Sequence, residues 1–398
     1  MLSFKYRVYP SSKQTLRLNR QMFLAKEIYN LIFDKAKEHY KQTGKMFTQF
    51  DMNKYISQLK KEKPEFKELH SQAAQNTSKR LADAYSAFFR RLQERKKGSK
   101  IKVGFPRRKK YVSSLTYPQS GFKFKNERRL TLSKIGCIPI VLHRVPKGEI
   151  KTCFIKKYAS GKWYVGLSAE FEPKEFKSNE QGRIGIDVGL SSFATLSTGL
   201  KIEAPKFLRK SEKKLKLLQR RVSRKHKGSR NKKRSRLRFA RQAEKIANQR
   251  LDFLHKLTTQ QVKTYGLIGV ESLNMQGMMK NHHLAKSISD ASWSMYMRML
   301  AYKAESAGCK LSMVASKNTT RQCNRCGGLQ DMPLSKRIYE CQSCGLVEDR
   351  DVNAAKNILE RATVGLTGSN ACGNLSSTLP LRIEQDISMK QELKEART

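Results

Sequence analysis

Two copies of one pattern, Cys323-x-x-Cys326-Gly327 and Cys341-x-x-Cys344-Gly345, constrain the fold of this chain more than any other feature. Fourteen residues separate Cys326 from Cys341, just short of the about 15–20 usual where two such pairs share one tetrahedral zinc. The glycine after each second cysteine supplies the permissive backbone that a metal knuckle needs. Free thiols or redox pairs are the alternatives, and two repeats of CxxCG make both poor readings. Four thiolates leave no open position, so the expected zinc is structural. The remaining cysteines, Cys137, Cys153, Cys309 and Cys372, are scattered and form no disulfide framework. The start, Met1-Leu-Ser-Phe-Lys-Tyr-Arg, reads as a strand and has no apolar signal core. Reduced thiols and a cytoplasmic location are therefore expected.

Charge sets the partner class. Lys and Arg number 82 against 33 Asp and Glu, a net charge of +49, while hydrophobic residues make up 38%. That is a folded chain built to face a polyanion. A membrane surface is disfavoured because the basic residues run through the whole chain and not along one amphipathic segment. No apolar run approaches the roughly 20 residues that span a bilayer.

Periodicity divides the chain into multidomain α+β and α/β parts. Phe4, Tyr6 and Val8 alternate with Lys5, Arg7 and Tyr9, predicting a strand over 3–9. Leu24, Ile28, Leu31 and Ile32 predict a helix from 12 to 43, closed by Gly44. Further helices are expected over 50–61, before Pro64, and over 70–96, where Leu81, Tyr85, Phe88 and Leu92 share a face. A helical unit is thus inserted after one strand. The period becomes two from 101 to 180. Trp163, Val165 and Leu167 alternate after a Ser160-Gly161 turn, which suggests a small antiparallel barrel that the first strand completes. Arg183-Ile-Gly-Ile-Asp-Val and Ser192-Phe-Ala-Thr-Leu then read as paired strands. Residues 206–250 carry 20 Lys or Arg against two Glu; they read as helix and as a phosphate-binding surface. Strands follow at 267–271 and 310–314, with helices over 287–306 and 352–361. Residues beyond 362 read as a disordered tail. Tyr111, Tyr117 and Phe122 could stack on bases, but core is the better reading for most of them. His282 and His283, in a loop before a helix, could contact a substrate phosphate or lie on the surface, the latter being the preferred reading, and no nucleotide-binding glycine loop is present.

Three carboxylates stand out in so basic a chain. Asp187 ends a strand with buried neighbours Ile184 and Ile186. Glu271 directly follows Leu267-Ile-Gly-Val. An ionised carboxylate in such places costs several kcal/mol unless paired or metal-bound. Asp351 opens a helix in Asp349-Arg-Asp-Val-Asn-Ala-Ala. Alone, Asp351 could be a helix cap and Asp187 a turn residue. Together, two strand ends and a helix start can converge and hold two divalent cations about 3.5–4 Å apart, the arrangement for phosphodiester displacement. Magnesium suits such oxygen ligands.

Gly185-Ile-Asp-Val-Gly, Val270-Glu-Ser-Leu-Asn, the paired CxxCG motifs and Asp349-Arg-Asp-Val-Asn-Ala-Ala, in this order, resemble the transposon-encoded TnpB proteins, relatives of the compact type V CRISPR nucleases. The resemblance covers nearly the whole chain, and includes Lys280-Asn-His-His-Leu-Ala-Lys-Ser-Ile-Ser-Asp-Ala-Ser-Trp. It implies a wedge barrel (1–10 and 101–180) split by a helical recognition insert (11–100). It also implies an RNase H-like RuvC domain (181–316, last helix 349–362) with a zinc-ribbon insert (317–348), before the tail 363–398. Asp187, Glu271 and Asp351 match the RuvC acids, and Cys323, Cys326, Cys341 and Cys344 the zinc ligands. The implied activity is RNA-guided cutting of double-stranded DNA beside a short flanking motif. The guide would come from the transposon end, and the displaced single strand would enter the acidic cleft. A strand-transferring transposase, or a non-cleaving RNA-guided regulator, is the competing expectation.

Overall fold

The first strand joins a sheet whose other members begin only at Ser114. The computed structural model describes residues 2–146, 148–170, 182–333 and 335–367. It divides into two units, Met1–Phe171 and Glu172–Thr398, and the fold is mixed α/β.

The first unit runs β1 (Leu2–Val8), α1 (Ser12–Thr43), α2 (Gln49–Glu62), a 3-10 turn (Pro64–Glu68) and α3 (Ser71–Lys96). Then come β2 (Ser114–Tyr117), β3 (Phe122–Asn126), β4 (Arg129–Leu132), β5 (Gly136–Val141), β6 (Ile150–Lys157) and β7 (Trp163–Ala169). The strands form one antiparallel sheet in the order β2-β6-β7-β1-β5-β4-β3. Ser11 and Gln14 cap α1 reciprocally, and Gly44 ends it at φ +65°, as Gly does in a left-handed cap. Leu18, Leu24, Ile28 and Ile32 face a core shared with Tyr6, Val165 and Leu167. Tyr117 is fully buried and Phe122 packs on that core, whereas Tyr111 is exposed.

The second unit runs β8 (Gly182–Val188), β9 (Ser192–Leu196), β10 (Lys201–Glu203), α4 (Phe207–Ser223), α5 (Arg230–Thr264), β11 (Tyr265–Ser272), α6 (Met275–Met278) and α7 (His282–Ala291). It continues with α8 (Trp293–Ala307), β12 (Lys310–Ala315), β13 (Ile338–Glu340), β14 (Val347–Asp349) and α9 (Arg350–Thr367). Its sheet has the order β10-β9-β8-β11-β12. β8, β11 and β12 are parallel, and β9 is the antiparallel partner of β8. β13 and β14 form a separate hairpin in the cysteine segment.

Three expectations change here. The helix expected over 287–306 is two, because Ser292 sits at φ +57° between α7 and α8. Ile288 and Trp293 are both buried in the same core. In one continuous helix they would lie about 140° apart, five residues at 3.6 per turn. His282 and His283 are exposed but open α7, with the Asn281 side chain accepting the His283 N–H. The last helix continues to Thr367, and the tail expected beyond it lies outside the described residues, as does Cys372.

The basic stretch is a helical hairpin, and α5 runs on to Thr264. Leu208, Leu215 and Leu218 meet Phe239, Ala243 and Ile246 along a narrow seam, which leaves most of the cations outward. One buried ion pair anchors the hairpin. Asp290 of α7 accepts the Leu208 N–H at 3.1 Å and the Arg250 guanidinium at 2.9 Å. Asp290→Ala deletes the carboxylate beside a buried guanidinium. A loss of about 3–5 kcal/mol is expected, measured as a shift in urea midpoint.

Glycine decides how α9 lies on the sheet. A Cβ on Gly185 would fall on the Ala355 carbonyl oxygen and come within 2.7 Å of the Leu359 nitrogen. One on Gly269 would come within 2.8 Å of Ala362 Cβ and 3.1 Å of the Ile358 oxygen. The two glycines are register partners on β8 and β11. They make a floor on which the helix backbone rests directly. Among the described residues no helix is long and apolar enough to cross a membrane.

Candidate active site and cysteine centre

Side chains two apart share a strand face, so Asp187 and Glu271 emerge on the face where Gly185 and Gly269 admit α9. Val270 pairs with Ile186 in the parallel ladder, which sets the two acids side by side one residue further on. Asp351, in the first turn of α9, is carried toward them by the same close approach. Asp349 takes the cap role: its Oδ1 accepts the N–H groups of Asp351 at 3.0 Å and Val352 at 3.2 Å. Burial pushes the Asp349 carboxyl up, but its bond to Lys201 and these amides bring it below the ordinary range.

The site is electrostatically tense. Asp187 is held well above the usual carboxylate range by burial and by the charges of Glu271 and Asp351; Arg350 and the Val188 N–H oppose this. Burial likewise raises Glu271, against the Thr319 hydroxyl and the Arg361 charge. Asp351 lies 3.3 Å from Arg350 and 3.9 Å from Arg337. Among the described residues, the four cysteines are the group of candidate ligands whose donor atoms all lie within 4.8 Å of one another. The carboxylates are not drawn that close. Thr319 donates to Glu271, and Arg350 lies beside Asp351. Buried, mutually repelling carboxylates are a donor set that a hard divalent cation would relieve.

The cysteines form two like loops. Gly327 at φ +73° and Gly345 at φ +70° turn the chain, and their N–H groups donate to Cys323 and Cys341 carbonyls at 3.0 Å. Sγ–Sγ distances are 3.6 Å for Cys323–Cys344 and for Cys326–Cys341. A tetrahedron of about 2.3 Å metal–sulfur bonds needs sulfur atoms about 3.8 Å apart, so this donor set fits zinc. The Cys344 N–H, chiefly, holds the Cys341 thiol below an ordinary thiol.

α9 also roots this module. Asn353 Nδ2 and Asn357 Nδ2 donate to the Gln322 carbonyl at 2.8 and 2.7 Å, and the Asn324 N–H donates to Asn353 Oδ1 at 2.9 Å. Arg361 reaches the Ala315 and Lys317 carbonyls and Gln322 Oε1. Sequence reasoning quoted Asn353 only inside a motif and gave none of the three a role. Their i, i+4, i+8 spacing was a readable face; their targets were not.

Known proteins now bear on this arrangement. The OrfB_IS605 family profile, described as a probable transposase, matches residues 167–282, and a Cas12f1-like TNB domain matches 293–358. A protein of Streptomyces pristinaespiralis named "Putative RNA-guided DNA endonuclease" is 34% identical over 386 residues, 94% of this chain and 91% of its own length. InsQ of Escherichia coli (strain K12), with the same designation, is 30% identical over 404 residues, 96% of each chain. The chain belongs to the TnpB family. Its fold resembles Cas12f1 in a complex with single guide RNA and target DNA, at TM-score 0.54 and 15% identity over 87% of this chain and 82% of that one. A helix-turn-helix profile also matches residues 1–45, where this TnpB has a strand and one 32-residue helix.

Proposed function

We propose that this TnpB protein is an RNA-guided endonuclease that cuts double-stranded DNA beside a short flanking motif. Its guide is an RNA from the transposon end, and it works in the cytoplasm at the nucleoid. Asp187, Glu271 and Asp351 hold two magnesium ions in an RNase H-like RuvC domain (181–316 and 349–362). Cys323, Cys326, Cys341 and Cys344 hold a structural zinc in a ribbon insert (317–348). The antiparallel sheet is a wedge barrel (1–10 and 101–180) and the helices over 11–100 are its recognition insert. The observation that carries this reading is the convergence of three carboxylates by two parallel strand ends and a helix seated on glycines.

When bound, the magnesium pair supplies stabilisation of the attacking and leaving oxygens of an in-line displacement. The chain's own groups do the rest. Asp187, Glu271 and Asp351 present oxygen donors from three elements that pack directly on one another. Arg350 and Arg337 stand beside Asp351 at 3.3 and 3.9 Å and offset part of the negative charge gathered there. The cations of α4 and α5 hold nucleic-acid backbone without reading its sequence; the guide reads it by pairing.

Purifying the protein with its RNA, sequencing that RNA and offering a plasmid library of random flanks with magnesium tests the proposal. Linear plasmids sharing one flank support it. Joined products formed without RNA would favour a transposase. Guide-dependent binding without cutting under any divalent metal would favour a regulator.

Two further outcomes follow. Asp187 and Glu271 keep their protons above the usual range, so protons compete with the cation. Cleavage is expected to rise with pH as they ionise, and more magnesium should move that rise to lower pH. Cleavage rates across pH at two magnesium levels check this. Stripping zinc with a chelator, or Cys326→Ser, is expected to unfold the module while the sheet of unit 2 persists. Zinc content, circular dichroism and limited proteolysis report it.

A further inference from the structure

The turn after β12 aims a hydroxyl at one of the three carboxylates. Thr319 is 2% exposed. Its Oγ1 donates to Glu271 Oε1 and also lies 3.2 Å from the Ser316 carbonyl oxygen. A hydroxyl has one proton to give, and an ionised acceptor is the stronger claimant.

The backbone around Thr319 is pinned. Its carbonyl accepts Asn357 Nδ2 at 2.9 Å. Arg361 grips the Lys317 carbonyl on one side and Gln322 Oε1 on the other, both at 2.7 Å. Asn318, at φ +63°, turns the chain between them. Gln322 adjoins Cys323. One helix therefore carries Asp351 and pins the turn that holds Glu271.

We infer that Thr319 is a positioning residue: it sets the orientation of the Glu271 carboxylate for a divalent cation and ties it to the root of the cysteine module. This rests on Glu271 being one of the cation-holding acids. A hydroxyl with only a packing role would be replaceable by a methyl group of the same shape.

The test uses the RNA-bound protein with Thr319→Val, Thr319→Ser and Glu271→Ala. Binding of Mn²⁺ is measured by calorimetry, and the magnesium level giving half-maximal cleavage by titration. Outer hydrogen-bond partners of metal ligands are worth about 10–100-fold in affinity. Valine is expected to weaken Mn²⁺ binding and raise the magnesium requirement by about tenfold or more, with zinc content unchanged, and serine to restore both. Should the valine protein lose zinc or melt early, Thr319→Cys keeps the volume with a weak donor and must fall between valine and serine. Wild-type Mn²⁺ affinity in the valine protein overturns the positioning role. Wild-type binding and cleavage in Glu271→Ala overturns the site reading, and the positioning role with it.

Discussion

Asp187→Asn is expected to abolish cleavage while leaving the protein folded and loaded with its RNA. The substitution keeps the shape of the side chain and removes the charge proposed to hold a cation. Losing several kcal/mol of transition-state stabilisation, about 4, corresponds to about a thousandfold in rate. Stability moves the other way. The Asp187 carboxyl holds its proton more tightly folded than unfolded, so the native state is penalised as pH rises from the unfolded value through the folded one. Without divalent cations, Asp187→Asn is therefore expected to melt at or above the wild-type Tm near neutral pH, and the advantage to vanish below the ordinary carboxylate range. Cleavage of a guide-matched plasmid and melting with and without magnesium measure both. Cutting at the wild-type rate would remove Asp187 from the chemistry.

Gly185→Ala is the most damaging single methyl group this fold can receive at the site. The added carbon meets the Ala355 carbonyl and the Leu359 nitrogen, backbone atoms with no rotamer to adopt. Overpacking of a core ordinarily costs about 1–3 kcal/mol. With backbone as the obstacle, about 3 kcal/mol or more is expected, seen as a lower urea midpoint. Gly269→Ala should cost less, because its nearest obstacle is the Ala362 methyl at 2.8 Å. That contrast gives a sharper check. Ala362→Gly should partly rescue Gly269→Ala, whereas Ala355→Gly should not rescue Gly185→Ala. Equal rescue of both would mean that α9 is not seated as described.

The sequence carried the elements whose signal is local. Leu24, Ile28, Leu31 and Ile32 with Gly44 mark α1, and alternation along Trp163–Leu167 marks β7, because helical periods, caps and pleats depend on a few neighbouring residues. The acids were legible for the same reason: Asp187 and Glu271 close apolar strands. What escaped was set by distant packing. Ser292 breaks a helix because Ile288 and Trp293 must both enter one core, and no residue near it announces that. Lys201–Glu203 is too short for a period. Ile-Gly-Ile-Asp and Ile-Gly-Val-Glu repeat a glycine two places before an acid, yet only the helix above shows why. Thr319, Asn357 and Arg361 lie outside every motif, and their value comes from carbonyls and a carboxylate that are remote along the chain.

β1 lies between β7 and β5, and α9 closes the second sheet from the far side of the cysteine module. Each unit is thus completed by partners made long after its opening strand. Contacts so distant in sequence form slowly. On the ribosome, β8 and β11 emerge with their glycines bare and without the helix that brings Asp351. On the site proposed above, cutting is therefore expected to be withheld through most of translation, until the last helix is free to settle.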